Sequence, residues 1–181
     1  MGHGGDLIAE LTADHREVDD LFGVIERTPY AAARLTAAEQ LTIELVRHAV
    51  AEEEHLYPVV REHLPDGDLV ADKGLADHGR VERILKDLEG IDAAGPDRDR
   101  LVAGLKAEIT AHVWDAEENL FPRLRQACPQ ETLDALGDDV RRVKRRAPSP
   151  PRPGSPPSGR RPTPGPGLVE RARELVTGRG R

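Results

Sequence analysis

The sequence predicts an all-α protein: an up-down-up-down antiparallel four-helix bundle with a short extra helix and a disordered, proline-rich basic tail. Three observations predict it. Apolar residues recur at steps of three and four, and no segment alternates as a strand would. The connecting segments are short, which favours antiparallel neighbours. One arrangement of residues is written twice, 63 to 64 positions apart. The bundle is expected over residues 1–146, with its core in 6–127, and the tail over 147–181.

Residues 6–28 read as the first helix, because Ile8, Leu11, His15, Val18, Phe22 and Ile25 fall on one face. Thr36 suits an N-cap for the second, with Glu39 at the capping-box position. Its stripe runs through Leu41, Leu45, His48, Glu52, His55 and Val59. A third helix covers about 69–90, with Leu75, His78, Glu82 and Leu85 on one face and Gly90 as its stop. DAAGPDRD is a loop. The fourth runs from about 97 to 126, with Leu101, Leu105, Glu108, His112 and Asp115 in register, and a fifth, short helix spans about 130–146. Pro58 and Pro122 fall at similar distances from His48 and His112, and each removes an amide donor from its helix.

The doubled text is specific. DHREVDDLF (14–22) lines up with DHGRVERIL (77–85), and HAVAEEEHLYPVVR (48–61) with HVWDAEENLFPRLR (112–125). Two helix hairpins related by a pseudo-two-fold axis bring four histidines, His15, His48, His78 and His112, around that axis. Each occupies a core position, where an imidazole without a partner is costly. Glu52 lies four residues after His48, and Glu82 four after His78, one turn along the same face. An imidazole and a carboxylate so spaced grip one cation. On the fourth helix the corresponding position is Ala116 and the next is Glu117, which points about 140° away on an ideal helix. A bulge before Pro122 turns it inward. Asp115, Glu108 and, more weakly, Asp19 are alternatives, and Glu53 aligns with Glu117 in the repeat. Four histidines and two to four carboxylates exceed one tetrahedral zinc site and suit two metal ions sharing carboxylates.

In these four segments the chain resembles the hemerythrin-like family, the HHE cation-binding domain, over roughly residues 6–127. The resemblance implies a four-helix bundle holding a non-haem di-iron centre that binds oxygen, peroxide or nitric oxide. Carried over by position, the ligands are His15, His48, Glu52, His78, His112 and Glu117, with Glu52 and Glu117 bridging two iron ions per chain. Manganese or zinc also suits such ligands. Oxygen-carrying members have a second histidine four residues along the third helix. Here that position is Glu82, which enters the ligand set and leans the reading toward sensing, iron handling or peroxide chemistry. Tyr57 and Phe121 are expected to pack beside the site, and Trp114 to pack rather than act. The tail resembles those of actinobacterial members.

Composition bounds the rest. No apolar run reaches the ~18–20 residues that span a bilayer, and MGHGGDLIAEL does not read as a signal peptide, so the cytoplasm is the expected location. Cys128 is a single thiol and reads as ordinary. The net charge of −7 divides into −17 over 1–140 and +10 over 141–181. The RRVKRR run and later arginines attract anions, but no recognition fold accompanies them, which makes nucleic acid an unlikely partner. The expected partner is a small diatomic or peroxide ligand. The competing reading is a metal-free, or zinc- or manganese-stabilised, helical interaction module acting through its basic tail.

Overall fold

A computed structural model describes residues 4–89, 91, 95–146 and 167–177, and these are helical with no strand among them. The chain runs α1 (Leu7–Arg27), α2 (Ala31–Ala51), a π-helical segment (Glu52–Leu56), α3 (Tyr57–His63), α4 (Gly67–Glu89), α5 (Pro96–Asp115), a second π-helical segment (Ala116–Leu120), α6 (Phe121–Ala127), α7 (Gln130–Arg146) and α8 (Leu168–Thr177). The proline-rich stretch 147–166 lies outside the described residues.

Local chemistry explains most boundaries. Asp6 caps α1, its Oδ1 accepting from the Ala9 amide at 2.8 Å. Pro96 opens α5 at a position where no amide is needed. Thr36 does not cap α2. The helix already starts at Ala31, and Thr36 donates its hydroxyl to the Ala32 carbonyl inside it. The run Ala31–Arg34 consists of strong helix formers that extend the helix back to Pro29.

α1 packs on α2 and α4 on α5, with α3 against α4. α7 lies along α1, and α8 lies against α2. The apolar interior forms two main clusters. One gathers Leu7, Leu11, Leu56, Val60, Phe121, Leu124 and Leu133; the other Val18, Phe22, Leu41, Leu45, Val81, Leu85 and Leu105. Each such side chain contributes about 1.5–3 kcal/mol on burial. Along α1, α2 and α4, and along α5 with the π segment that follows it, a histidine falls between the residues given to one cluster and those given to the other. The polar layer therefore sits between two greasy ends that fix its height. Trp114, expected to pack, is instead 62 % exposed.

A second polar layer joins α7 to the bundle. Lys144, from the RRVKRR run, is buried, its Nζ 2.7 Å from Asp14 and 3.2 Å from Glu10. Arg141 also reaches Glu10, at 2.8 Å. No helix among the described residues is long and apolar enough to cross a membrane.

Candidate metal centre

The two π-helical segments set the register of the acidic residues. Pro58 and Pro122 each lack the amide that would bond one turn back. Just before them, the Tyr57 amide bonds the Glu52 carbonyl and the Phe121 amide bonds the Ala116 carbonyl, five residues back rather than four. The wider turn changes which side chains face inward. The distortion expected before Pro122 is present, and it recurs before Pro58.

Around the axis the histidines present their Nε2 atoms to one carboxylate. Glu52, fully buried, has Oε1 3.3 Å from His48 Nε2, and Oε2 2.9 Å from His78 Nε2 and 3.3 Å from His112 Nε2. The Tyr57 hydroxyl donates to Glu52 Oε2 at 3.1 Å. His15 stands 4.9 Å from the His48 ring centre and stacks on Phe121. Two overlapping triads result, His15–His48–Glu52 and Glu52–His78–His112, with the ligand atoms of each within 4.8 Å of one another.

Behind each imidazole stands a second carboxylate, on Nδ1. Glu117 meets His15 at 2.7 Å, Asp14 meets His48 at 3.4 Å, Glu53 meets His78 at 3.3 Å and Asp77 meets His112 at 3.8 Å. A carboxylate there favours the proton on Nδ1 and aims Nε2 inward, the arrangement that orients metal-binding histidines. The Asp-His pair of each repeat thus has two uses. The histidine turns inward, and the aspartate before it braces the histidine of the neighbouring helix.

The charges are strongly coupled. Burial opposes charge on His48, but Glu52 and Asp14 outweigh it and lift its pKa to about 9. Burial likewise opposes charge on His112, where Glu52 and Asp77 raise the pKa to about 10. Burial, with His48 alongside, lowers His15 to about 4. Burial alone would raise Glu52, yet His48 and His112 hold it well below the usual carboxylate range. Burial and Glu52 push the Tyr57 hydroxyl far up, so it stays a donor.

Of the residues expected from the sequence, His15, His48, Glu52, His78 and His112 converge. Glu117 is turned toward the centre but sits on the outer nitrogen of His15, with Arg16 at 2.5 Å on its other oxygen. Glu82 lines the cavity beside His48, His78 and His112, and its oxygens lie 2.8 Å from Lys86 and 3.6 Å from Arg173. Asp115 pairs with Lys73 and Glu108 with Arg80. Asp14 and Asp77 are not among the residues expected from the sequence, although an aspartate before the first histidine of each hairpin was the available signal.

The donor set fits a bound cation. Nε2 of His15 is buried without a hydrogen-bond partner, and Nε2 of His48 and His112 and Oε1 of Glu52 have charge contacts at 3.3 Å but no aligned hydrogen bond, a state that a cation relieves. Two spaces reach these atoms. A cavity of about 40 Å³ beside His48, His78 and His112 is lined mainly by apolar groups, among them Leu45, Val81, Leu85 and Ile109, and also by Arg173. A cleft of about 320 Å³, lined by residues of α1 and α5 and the second π segment, reaches His15 past Val18, Phe22 and Val113.

A helical bundle with imidazoles grouped about a shared buried carboxylate defines a cation-binding class of protein. The chain belongs to the hemerythrin HHE cation-binding domain family, whose model matches residues 6–124. It is also 26 % identical over 134 residues to a DNA nickase of Nostoc sp. (strain PCC 7120 / SAG 25.82 / UTEX 2576). That match covers 74 % of this chain but only 38 % of the relative. No solved structure matches the chain significantly.

Proposed function

We propose that this chain is a cytoplasmic non-haem di-iron protein of up-down-up-down bundle topology, whose centre binds oxygen, peroxide or nitric oxide in sensing, iron handling or peroxide detoxification. The observation that carries this reading is the pair of overlapping triads sharing Glu52. His15 and His48 would hold one ion and His78 and His112 the other, with Glu52 available to both. Imidazole and carboxylate donors in this ratio favour iron, with manganese or zinc as alternatives.

Bound iron would supply an exchangeable position and the electrons for reducing a small ligand. The chain's own residues do the rest. The four Nδ1 carboxylates hold the rings with Nε2 aimed inward, where a bound ion would take the place of the proton that His48 and His112 otherwise carry. Tyr57 donates to Glu52 Oε2 and fixes its rotamer. The apolar lining of the cavity keeps bulk water back, and its volume admits only small molecules.

The Nostoc relative's name raises a nucleic-acid role. Here Arg141, Arg142 and Lys144 are engaged with Glu10, Asp14, Asp138 and Asp139 of the protein itself, which leaves less of that charge for a nucleic acid.

Elemental analysis of protein from iron-supplemented cells should give about two irons per chain, consistent with two histidine pairs about one bridge. Glu52→Ala should lose both. A folded wild-type chain without metal refutes the reading. Peroxide turnover above that of free iron, lost in His48→Ala, would make it an enzyme rather than a carrier or sensor.

A further inference from the structure

The pseudo-two-fold repeat has one break that the structure repairs from elsewhere. In the first half, Arg16 follows His15 and grips Glu117 at 2.5 Å, while the other oxygen of Glu117 meets His15 Nδ1. The second half offers the same pair, Glu53 on His78 Nδ1, but the residue after His78 is Gly79. Gly79 is exposed, and nothing lies within 4 Å of where its Cβ would stand. The arginine comes instead from α8: Arg173 meets Glu53 Oε2 at 2.5 Å. The two relays then match, Arg16–Glu117–His15 and Arg173–Glu53–His78.

The docking of α8 is built to deliver this side chain. Val169, Ala172 and Val176 are buried on the bundle. The Glu89 carboxylate accepts from the Val169 amide at 2.8 Å, at the start of α8, and Lys86 meets Glu170 at 3.0 Å. Arg173 also stands 3.6 Å from Glu82, holding that carboxylate among surface cations. It lines the small cavity beside His78 and His112.

We propose that α8 is a component of the metal centre, and that Arg173 is a positioning residue supplying the arginine that the second half of the repeat lacks, holding Glu53 against His78. The proposal rests on the metal-centre reading for its consequence, namely that α8 governs the His78–His112 position and not the His15–His48 one. The geometric part stands without metal.

The first experiment uses the metal-free full chain. Imidazole ¹⁵N and ¹H NMR should show an Nδ1-protonated His78 in the wild type. Arg173→Ala should lose that signature at His78 and leave His15 unchanged. Gly79→Arg in the Arg173→Ala background, which puts the arginine back at the repeat position, should restore it. The second measures iron binding in the same three proteins. Arg173→Ala should weaken one of the two ions roughly tenfold to a hundredfold, the usual effect of losing a partner behind a metal-binding histidine. Gly79→Arg should recover it. An unchanged His78 signal in Arg173→Ala overturns the proposal, as does a loss that Gly79→Arg does not reverse, since either reduces α8 to packing. A wild type that binds no iron but shows the His78 pattern refutes the di-iron function alone.

Discussion

Lys144→Met is a sharp test of how the bundle holds its charges. The lysine side chain is 1 % exposed and faces Asp14 and Glu10, which are 4 % and 0 % exposed. Its Nζ also donates to the Glu10 carbonyl at 3.0 Å. Methionine keeps the volume and removes the charge. Asp14 then loses its closest cation but keeps His48 at 3.4 Å and Arg47 at 3.9 Å, and Glu10 keeps Arg141 at 2.8 Å. Breaking a buried pair by removing one partner costs about 3–5 kcal/mol, because a buried charge is left with less compensation. For a chain of this size that lowers Tm by roughly 6–20 °C. Urea unfolding followed by circular dichroism measures it. Adding Glu10→Gln and Asp14→Asn to the same chain should recover part of the loss, since neutral partners no longer need the lysine. A single-variant cost below about 1 kcal/mol, the range of exposed pairs, would refute the reasoning.

Three further outcomes are expected. In chelator, the metal-free chain should respond to pH in two directions. His48 and His112, with folded values of about 9 and 10, contribute stability that is full below the unfolded pKa of about 6.5 and lost as pH rises through 9–10. His15, lowered to about 4, contributes stability that is full above about 6.5 and lost as pH falls through 4. From these groups the urea midpoint should peak near pH 6.5, and a midpoint that rises from pH 6.5 to 9.5 would contradict it. Metal must displace the protons of His48 and His112, so apparent zinc affinity, read by competition with a chelating dye, should climb by up to roughly a hundredfold per pH unit between pH 6.5 and 9; a flat profile counts against the coupling. Gly74→Ala should destabilise, because a Cβ at 74 collides with the Tyr57 hydroxyl. Overpacking costs about 1–3 kcal/mol, partly offset by about 1 kcal/mol of helix propensity, and Tyr57→Phe should relieve only part of the loss, because the ring carbons Cζ and Cε1 would still stand 2.5 and 2.8 Å from that Cβ.

The helices and the four histidines were legible because both rest on periodicity. A core stripe shows itself in sequence, and a polar residue on that stripe stands out. The carboxylates were harder. Spacing places Glu82 one turn from His78, but it does not say that Lys86, a further turn along, and Arg173 from α8 compete for the same oxygens. Nor does spacing tell which ring nitrogen a carboxylate meets, so Glu117 reads as a ligand while the fold sets it behind His15. The need for a distorted turn was readable from Ala116, Glu117 and Pro122. Its twin before Pro58 brings Glu53 behind His78, as Glu117 lies behind His15. The burial of Lys144 was hidden by its surroundings, since a run of five cations looks like a solvated tail until one of them is found facing Glu10 and Asp14.

That lysine also imposes an order on the making of the protein. Glu10 and Asp14 leave the ribosome about 130 residues before Lys144. At ~5–20 residues per second, α1 exists for roughly 7–26 seconds before its buried cation arrives. During that interval α1 cannot seat its acidic face in a dry interior at full stability. A nascent chain ending after α6 should therefore remain open along the face that α7 later covers, and the last turns of α7 complete the packing of helices synthesised long before them.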